Sequence, residues 1–281
     1  MSRGFPAGLR TSPPTGWKRA ATGPDPGGRQ DLRRRVLTPR DAAFSFLDGC
    51  SASGFSLLSP GMSGAAQELW QDEAHLAARG LACRRGERLV FSGLDFDLHA
   101  GELLVLRGPN GSGKSSLLRL VAGLVPRERG TFTWNGMPLA DAEGWHVRIA
   151  YLGHADAAKP ELTPREDLRF WLALRGTRGD VDLALERLGL TALADLPCRM
   201  LSAGQRRRLA LARVVASGAR LWLLDEPFNA LDEAASIALR ALLSEHRARG
   251  GMVLLAAHGA VQGAGPTSEM ELGRAGPAEG P

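Results

Sequence analysis

The chain has 281 residues, of which 44% are hydrophobic and 23% charged, as in an ordinary globular protein with a sizeable core. Its net charge of +5 comes from residues 1–61, which contain nine basic and four acidic residues, whereas residues 62–281 contain 26 of each. This neutral body argues against a nucleic-acid partner, and the apolar runs fall far short of the ~20 residues that span a bilayer.

Two segments at the ends of the chain lack the period of a strand or a helix. Residues 1–61 are rich in Arg, Gly and Pro, so we predict a disordered extension there. An alternative that stays open is a translation start at Met62, which would make this extension a misassigned start. Residues 261–281 are rich in Gly and Pro, and we expect a flexible tail.

Between these ends, residues 76–260 alternate strand patterns with helix patterns, which predicts an α/β domain with a parallel sheet. Thr163 and Glu166, with a proline between them, form a capping box that opens a mainly helical stretch over about 155–205. The predicted strands lie at 88–91, 94–98, 102–107, 149–152, 221–225 and 252–256. The predicted helices outside that stretch lie at 114–123 and 206–216.

The glycine-rich segment between the strand at 102–107 and the helix at 114–123 fits the P-loop pattern. Its glycines let successive N–H groups turn toward phosphate oxygens, and the helix that follows adds its positive end. We expect Lys114 to reach the β- and γ-phosphates and the Ser115 hydroxyl to bind Mg²⁺. Kinases, GTPases and many ATPases share this motif. The predicted nucleotide-binding residues of the segment are Gly108, Pro109, Asn110, Gly111, Ser112, Gly113, Lys114, Ser115 and Ser116.

A second motif narrows the choice among P-loop proteins. It comprises Leu201, Ser202, Ala203, Gly204 and Gln205, and it is followed by a basic helix and a strand that ends in Asp-Glu. In this order the chain resembles the ABC ATPases, whose signature reads Leu-Ser-Gly-Gly-Gln. The resemblance implies a P-loop NTPase with a RecA-like parallel-sheet core, a small antiparallel β region and a helical signature subdomain. It also implies a homodimer that sandwiches two ATP molecules, in which each signature contacts the γ-phosphate held by the opposite subunit.

The strand at 221–225 ends in a carboxylate that can hold Mg²⁺, Asp225. By resemblance, Glu226 is the general base that activates the attacking water, and His258 is the switch histidine that contacts the γ-phosphate. The family's D-loop, which crosses the dimer interface, corresponds to Asn229, Ala230, Leu231 and Asp232.

Besides Ala203, which stands where the family usually has glycine, two features depart from the family pattern. His154 stands where the family has its Q-loop glutamine, and an imidazole is a poorer Mg²⁺ ligand than an amide oxygen. A relay role is open to it, and we keep it among the predicted nucleotide-binding residues. The aromatic residue that usually stacks on adenine is missing, so we expect Arg84 or Arg85 to stack there, with Phe91 as a weaker candidate.

Within the family, the chain resembles the ATP-binding subunits of the cytochrome c maturation system, often called the haem exporter. The segments that carry this likeness are 85–88, 151–154, 159–163, 170–171, 203 and 223–232. The resemblance implies a pair of subunits on the cytoplasmic face of the bacterial inner membrane, docked on an integral-membrane subunit. It links ATP turnover to haem delivery for c-type cytochromes. The chain has no Cys-x-x-Cys-His motif, and we predict that this subunit itself does not bind haem.

Three other functions stay open at this point. The nearest is an ABC cassette that exports another substrate. A non-transport ABC-type ATPase of DNA repair or translation is less consistent with the chain, because only 87 residues separate Lys114 from Leu201 and only one cassette is present. A nucleotide sensor without hydrolysis is disfavoured by the intact Lys114, Asp225, Glu226 and His258.

Overall fold

The computed structural model describes residues 74–139, 144–258 and 267–273. The predicted extension over 1–61 lies outside these residues. Within them, no helix is both long and apolar enough to cross a membrane. The strands of the described ranges are β1 (His75–Arg85), β2 (Arg88–His99), β3 (Leu103–Arg107), β4 (Arg129–Trp134), β5 (Met137–Pro138), β6 (Ile149–Leu152), β7 (Leu221–Asp225), β8 (Met252–Ala256) and β9 (Thr267–Glu271). The helices are α1 (Lys114–Val121), α2 (Trp145–Arg148), α3 (Pro164–Arg175), α4 (Val181–Arg187), α5 (Ala203–Ala216) and α6 (Glu233–Ala248), with 3₁₀ turns at Thr191–Leu193 and Cys198–Met200.

Four strands form a small antiparallel sheet in the order β2-β1-β4-β5. The predicted strands at 88–91 and 94–98 are one continuous strand, β2, which pairs with β1 from His75↔His99 to Arg85↔Arg88. The register of this pair shifts three times between Ala78 and Arg84, and such bulges break the alternation of buried and exposed residues. For that reason the pattern did not reveal β1 as a strand.

Five parallel strands form the central sheet in the order β6-β7-β8-β3-β9. Every residue of β7 and β8 is buried, because helices cover one face and the antiparallel sheet with α1 covers the other. Alternate residues point to opposite faces: Val105 and Leu224 contribute to the core with α3 to α6, whereas Leu104 and Leu223 contribute to the core with α1. Both cores are therefore anchored on the same strands.

The helical stretch begins as predicted, with Thr163 capping α3 in a complete capping box with Glu166. Helix α5 begins at Ala203, three residues before the predicted helix, because Ser202 caps it in the same way. Asp167 on α3 is fully buried, and its carboxylate accepts a hydrogen bond of 2.7 Å from Arg213 Nε on α5. This buried pair joins the two helices.

The expectation of a flexible segment over 261–281 fails for residues 267–271. These residues form β9, which pairs in parallel with β3 from Leu103↔Thr267 to Arg107↔Glu271. Arg107 Nη2 also donates to Glu269 Oε1 at 2.7 Å. The strand is polar and mostly exposed, so its own pattern carries no hydrophobic signal. The rest of 261–281 lies outside the described residues.

One histidine is part of the core. The ring of His246 on α6 is 2% exposed, stacks on Trp222 of β7 at 3.9 Å, and lies with Nε2 3.1 Å from the Arg220 carbonyl oxygen. Burial disfavours the charged ring and lowers the pKa of His246 to about 3. The histidine is therefore neutral in the folded protein at physiological pH.

This burial makes stability sensitive to acid. The unfolded chain binds a proton at His246 below its ordinary pKa of ~6.5, whereas the folded chain does not until about pH 3. We expect the free energy of unfolding to fall by about 2 kcal/mol between pH 7.5 and 5.0 from this group. Urea titrations of wild type and His246→Phe should show a shallower pH dependence in the variant. His146→Gln, at an exposed position, is the matched control, and equal slopes for wild type and His246→Phe would contradict the assignment.

Candidate nucleotide-binding and hydrolysis site

The P-loop runs from the end of β3 to the start of α1, as predicted. Gly108, Gly111 and Gly113 have φ angles of 131°, 78° and 107°, a region that favours glycine. A Cβ at Gly108 would clash with the Leu272 carbonyl, and one at Gly113 would lie 2.7 Å from Val90 Cγ1. Only glycine fits at these two positions. The glycines therefore allow the backbone of the loop to take the tight curve seen here.

Two polar groups of the P-loop are placed where they can bind an anion. Lys114 is 6% exposed, and its Nζ donates to the carbonyl oxygens of Gly108 at 2.7 Å and Pro109 at 3.0 Å. The Ser112 hydroxyl is buried and has no hydrogen-bond partner among the described residues. An unpartnered buried hydroxyl in the same loop as a buried ammonium group fits a phosphate better than it fits a structural turn. Ser116, also predicted here, lies buried on α1.

The two predicted Mg²⁺ ligands are in contact. Ser115 Oγ on α1 donates to Asp225 Oδ1 at the end of β7 at a distance of 3.0 Å, and Asp225 is 4% exposed. Hydroxyl and carboxylate oxygens are donors that Mg²⁺ prefers, and this ion usually takes few protein ligands together with phosphate and water. The pair therefore fits the ion.

The predicted general base lies beside the predicted switch histidine. Glu226 has a φ of 47°, unusual for a residue other than glycine, and its N–H donates to the Ala256 carbonyl at 3.0 Å. Its Oε1 lies 3.1 Å from His258 Nε2, and its Oε2 accepts a hydrogen bond from Asn229 Nδ2 of the predicted D-loop. The left-handed backbone turns the carboxylate of Glu226 toward these two partners.

The signature segment forms the N-terminus of α5. Ser202 Oγ accepts from Gln205 N at 3.2 Å, and Gln205 Oε1 accepts from Ser202 N at 2.8 Å. Leu201 is buried, whereas Ser202 and Ala203 are exposed. Capping by Ser202 leaves the other N–H groups of the first turn free to face an anion.

The predicted D-loop, which begins at Asn229, ends at the next helix. Asp232 caps α6, with Oδ1 accepting from Ala235 N at 2.8 Å. Ala230 has a φ of 61°, and Leu231 N donates to the Phe228 carbonyl at 3.3 Å. The segment between β7 and α6 is therefore a series of tight turns.

The departures from the family pattern have different outcomes. Phe91 is 5% exposed and packs beside Gly113, so little of its ring is open to a base, and this burial counts against the weaker candidate for adenine. Arg84 is exposed, with Nη1 donating to the Glu87 carbonyl at 3.1 Å, and Arg85 is exposed at the end of the β1–β2 hairpin. His154 is exposed in the loop after β6. The roles of these three residues stay predictions.

One buried residue beside the site was not predicted. Arg207 on α5 is 4% exposed, and its Nη2 donates to the carbonyl oxygens of Asp225 and Glu226, each at 2.7 Å. It stands in a run of three arginines, where composition gives no hint of burial. Helical spacing does give one, because Ala210, Leu211 and Val214 lie on the same face of the helix.

Comparisons with known proteins agree with this geometry. The sequence model of the family described as ABC transporter matches residues 91–229. A protein of Paramagnetospirillum magneticum named "Cytochrome c biogenesis ATP-binding export protein CcmA" is 53% identical over 192 residues, which cover 66% of this chain and 88% of that relative. The protein of the same name from Nitrosococcus oceani is 50% identical, covering 68% and 89%.

A solved structure titled "Structure of ATP binding subunit of ABC transporter" shares the fold with a TM-score of 0.59 at 27% identity, covering 65% of this chain and 79% of that one. The predicted family and fold are confirmed. The chain belongs to the ATP-binding subunits of ABC transporters, the ATPases that couple ATP hydrolysis to transport.

Proposed function

We propose that this chain hydrolyses MgATP in a sandwich of two copies and thereby powers haem delivery for c-type cytochrome biogenesis. The observation that carries the catalytic part is the cluster of Glu226, His258 and Asn229 next to the Ser115–Asp225 pair. The names of the relatives, 53% and 50% identical to this chain, support the biological part.

Phosphate binding in this proposal uses two side chains of the P-loop, Lys114 and Ser112. The Lys114 ammonium leaves the carbonyls of Gly108 and Pro109 for the β- and γ-phosphate oxygens, and Ser112 Oγ gains an acceptor. Lys114 exchanges neutral carbonyl acceptors for charged phosphate oxygens, and the neutral Ser112 hydroxyl gains a charged acceptor, with which a hydrogen bond is about twice as strong as a neutral one. Ser115 Oγ and Asp225 Oδ1 would hold Mg²⁺, which when bound neutralises part of the phosphate charge.

Hydrolysis requires a group that accepts a proton from the attacking water. Glu226 is assigned this role, because its carboxylate is partly exposed while its backbone is fixed at the strand end. Asn229 orients one carboxylate oxygen by its hydrogen bond. His258, which contacts the other oxygen, is exposed two residues beyond the end of β8 and is able to turn toward a γ-phosphate.

The signature and the D-loop act as one unit in this proposal. A Cβ at Gly204 would lie 2.8 Å from the Ala230 carbonyl oxygen, so the first turn of α5 and the D-loop are in close contact. Ala203 points outward and is exposed, which explains why alanine is tolerated where the family usually has glycine. The surface that meets the second copy therefore contains both segments.

The proposed partner is an integral-membrane subunit of a cytochrome c maturation complex, with this chain on the cytoplasmic face of the bacterial inner membrane. The described residues contain no span of their own, so a separate chain would provide the membrane path. His154, exposed in the loop after β6, is proposed as a relay between that partner and the nucleotide. Haem is carried elsewhere in the complex.

Replacement of the general base should separate binding from hydrolysis. We expect Glu226→Gln to lower kcat by about 10²–10⁴-fold, because the amide cannot accept the proton. ATP binding should persist, and the nucleotide-bound dimer should accumulate in sizing chromatography. Lys114→Ala is the matched control, since it should lose nucleotide binding and stay monomeric. Hydrolysis at the wild-type rate by Glu226→Gln would rule out this residue as the base.

The contact between the signature and the D-loop predicts a difference between neighbouring positions. Gly204→Ala should lower kcat roughly ten- to hundredfold, because the new methyl displaces Ala230 and a shift of ~1 Å can cost that much. Ala203→Gly removes an exposed methyl, and the rate should change by about twofold at most. Steady-state ATPase assays of both variants, with circular dichroism to check folding, provide the comparison. Equal effects at the two positions would contradict the model of a packed unit.

The biological role is tested in the host organism. A chromosomal Lys114→Ala substitution should abolish haem-stained c-type cytochromes and leave b-type cytochromes unchanged, because only the former need this export step. Affinity purification of the tagged full chain from solubilised membranes should recover an integral-membrane subunit. Normal c-type cytochromes in the variant would instead favour a cassette for another substrate, and tight stoichiometric haem binding by the isolated chain would overturn the assignment of haem elsewhere.

A further inference from the structure

The buried guanidinium of Arg207 connects two parts of the molecule that are distant in sequence. Nη2 donates to the carbonyl oxygens of Asp225 and Glu226 at 2.7 Å each, at the end of β7. Nη1 donates to the Gly153 carbonyl at 2.8 Å and to Asp156 Oδ1 at 3.2 Å, in the loop after β6. We call residues 153–156 the β6 loop. One planar group thus holds both the catalytic strand end and the loop that carries His154.

The contacts of Arg207 help to hold the backbone of Glu226 in an unfavourable conformation. Glu226 has a φ of 47°, and a residue that carries a Cβ is disfavoured at such an angle unless the surroundings hold it. The peptide is held on one side by the hydrogen bond from its N–H to Ala256, at 3.0 Å. On the other side its carbonyl accepts from Arg207 Nη2 and, at 3.2 Å, from Asn229 N. Arg207 therefore contributes one of three hydrogen bonds that hold the backbone of Glu226, the proposed general base.

The charge of Arg207 is compensated by the β6 loop. Asp156 pairs with Nη1, and the two side chains are 23% and 5% exposed, respectively. The main chain of Asp156 is held as well, because its carbonyl accepts from Arg213 Nη1 at 2.6 Å. Nε of Arg207 is buried without an acceptor among the residues described. The guanidinium therefore occupies a position set by the strand end and the loop, although one of its own donors is left unsatisfied.

The helix that carries Arg207 also begins at the signature. Ser202 caps α5, and Arg207 follows five residues later, about 7.5 Å along the helix axis. A helix of this length moves as one body, so a displacement of the signature end is transmitted to the guanidinium. The same guanidinium contacts the backbone of Glu226 within the same chain.

We propose that Arg207 is a positioning residue for hydrolysis: it fixes the backbone of Asp225 and Glu226 and couples it to the signature helix and the β6 loop. The inference rests on the proposed role of Glu226 as general base. Arg207 contacts no reacting atom and acts only through the residues it holds.

Kinetics of the full-length chain distinguish positioning from general stability. In Arg207→Met, which keeps the length and apolar stem of the side chain, kcat should fall at least tenfold while KM for ATP stays within about twofold, because the P-loop contacts are untouched. Arg207→Lys should recover only part of the loss, since one ammonium cannot match the four acceptors of a planar guanidinium. Asp156→Asn should lower kcat severalfold, and the Arg207→Met/Asp156→Asn double variant should be no slower than Arg207→Met alone.

Arg208→Lys is the matched control on the same helix. Among the residues that the structure describes, Arg208 donates only to the carbonyls of Leu188 and Gly189, at 3.3 and 3.4 Å, and the rate should stay within about twofold of wild type. Binding of a fluorescent ATP analogue and thermal unfolding confirm that each variant is folded. If Arg207→Met does not fold, Arg207→Lys and Asp156→Asn carry the test.

Each outcome has a defined meaning. A folded Arg207→Met, or the pair Arg207→Lys and Asp156→Asn, with wild-type kcat overturns the inference. A rise in KM matching the loss in kcat also overturns it, because the residue would then support the whole site rather than the base. Glu226→Gln is assayed in parallel: if it hydrolyses ATP normally, the proposed function fails by a separate measurement, whereas an inactive Glu226→Gln with an unaffected Arg207→Met refutes positioning alone.

Discussion

Three neighbouring strands end at the same level, and this register determines where every reactive group lies. Leu106 of β3 pairs with Ala256 of β8, and Ala256 pairs with Asp225 of β7. The chain leaves the sheet just beyond these residues, to form the P-loop after β3, Glu226 after β7 and His258 after β8. Because adjacent strands are about 4.8 Å apart, three consecutive ends bring the P-loop, Glu226 and His258 within about 10 Å of one another. The apolar packing on both faces of the sheet therefore sets the geometry of a polar site at its edge.

Two buried cationic side chains contact the backbone at this edge of the sheet, and they differ in the kind of contact that they make. Lys114 and Arg207 both donate to backbone carbonyls, the former to Gly108 and Pro109 and the latter to Gly153, Asp225 and Glu226. An ammonium is a point donor on a flexible stem and can exchange a carbonyl for a phosphate oxygen. A guanidinium presents its donors in a fixed plane, so it holds several carbonyls at set positions. In the proposed mechanism, the chain uses its rare lysine where contacts must change and an arginine where they must persist.

Local chemistry made much of the site predictable from the sequence. The P-loop glycines, the cap Thr163 and the apolar strand that ends at Asp225 each depend on neighbours in the chain, so their patterns survive in the sequence. Arg207, β1 and β9 depend on distant partners. Arg207 is buried by contacts with β7 and the β6 loop, β1 is interrupted by bulges, and β9 is a strand only because β3 lies beside it. Such features are set by tertiary structure and leave little trace in composition, although the helical spacing around Arg207 gives a hint of its burial.

The position of β9 has a consequence for solubility. Without it, β3 would be the last strand on its side, with open N–H and C=O groups and a run of Leu and Val that another chain could pair with. Residues 267–271 occupy that ladder and place Glu269 and Glu271 at the new border. Carboxylates on an outermost strand discourage a foreign strand from adding to the sheet. A short acidic strand late in the chain thus covers the edge of β3 and disfavours intermolecular pairing there.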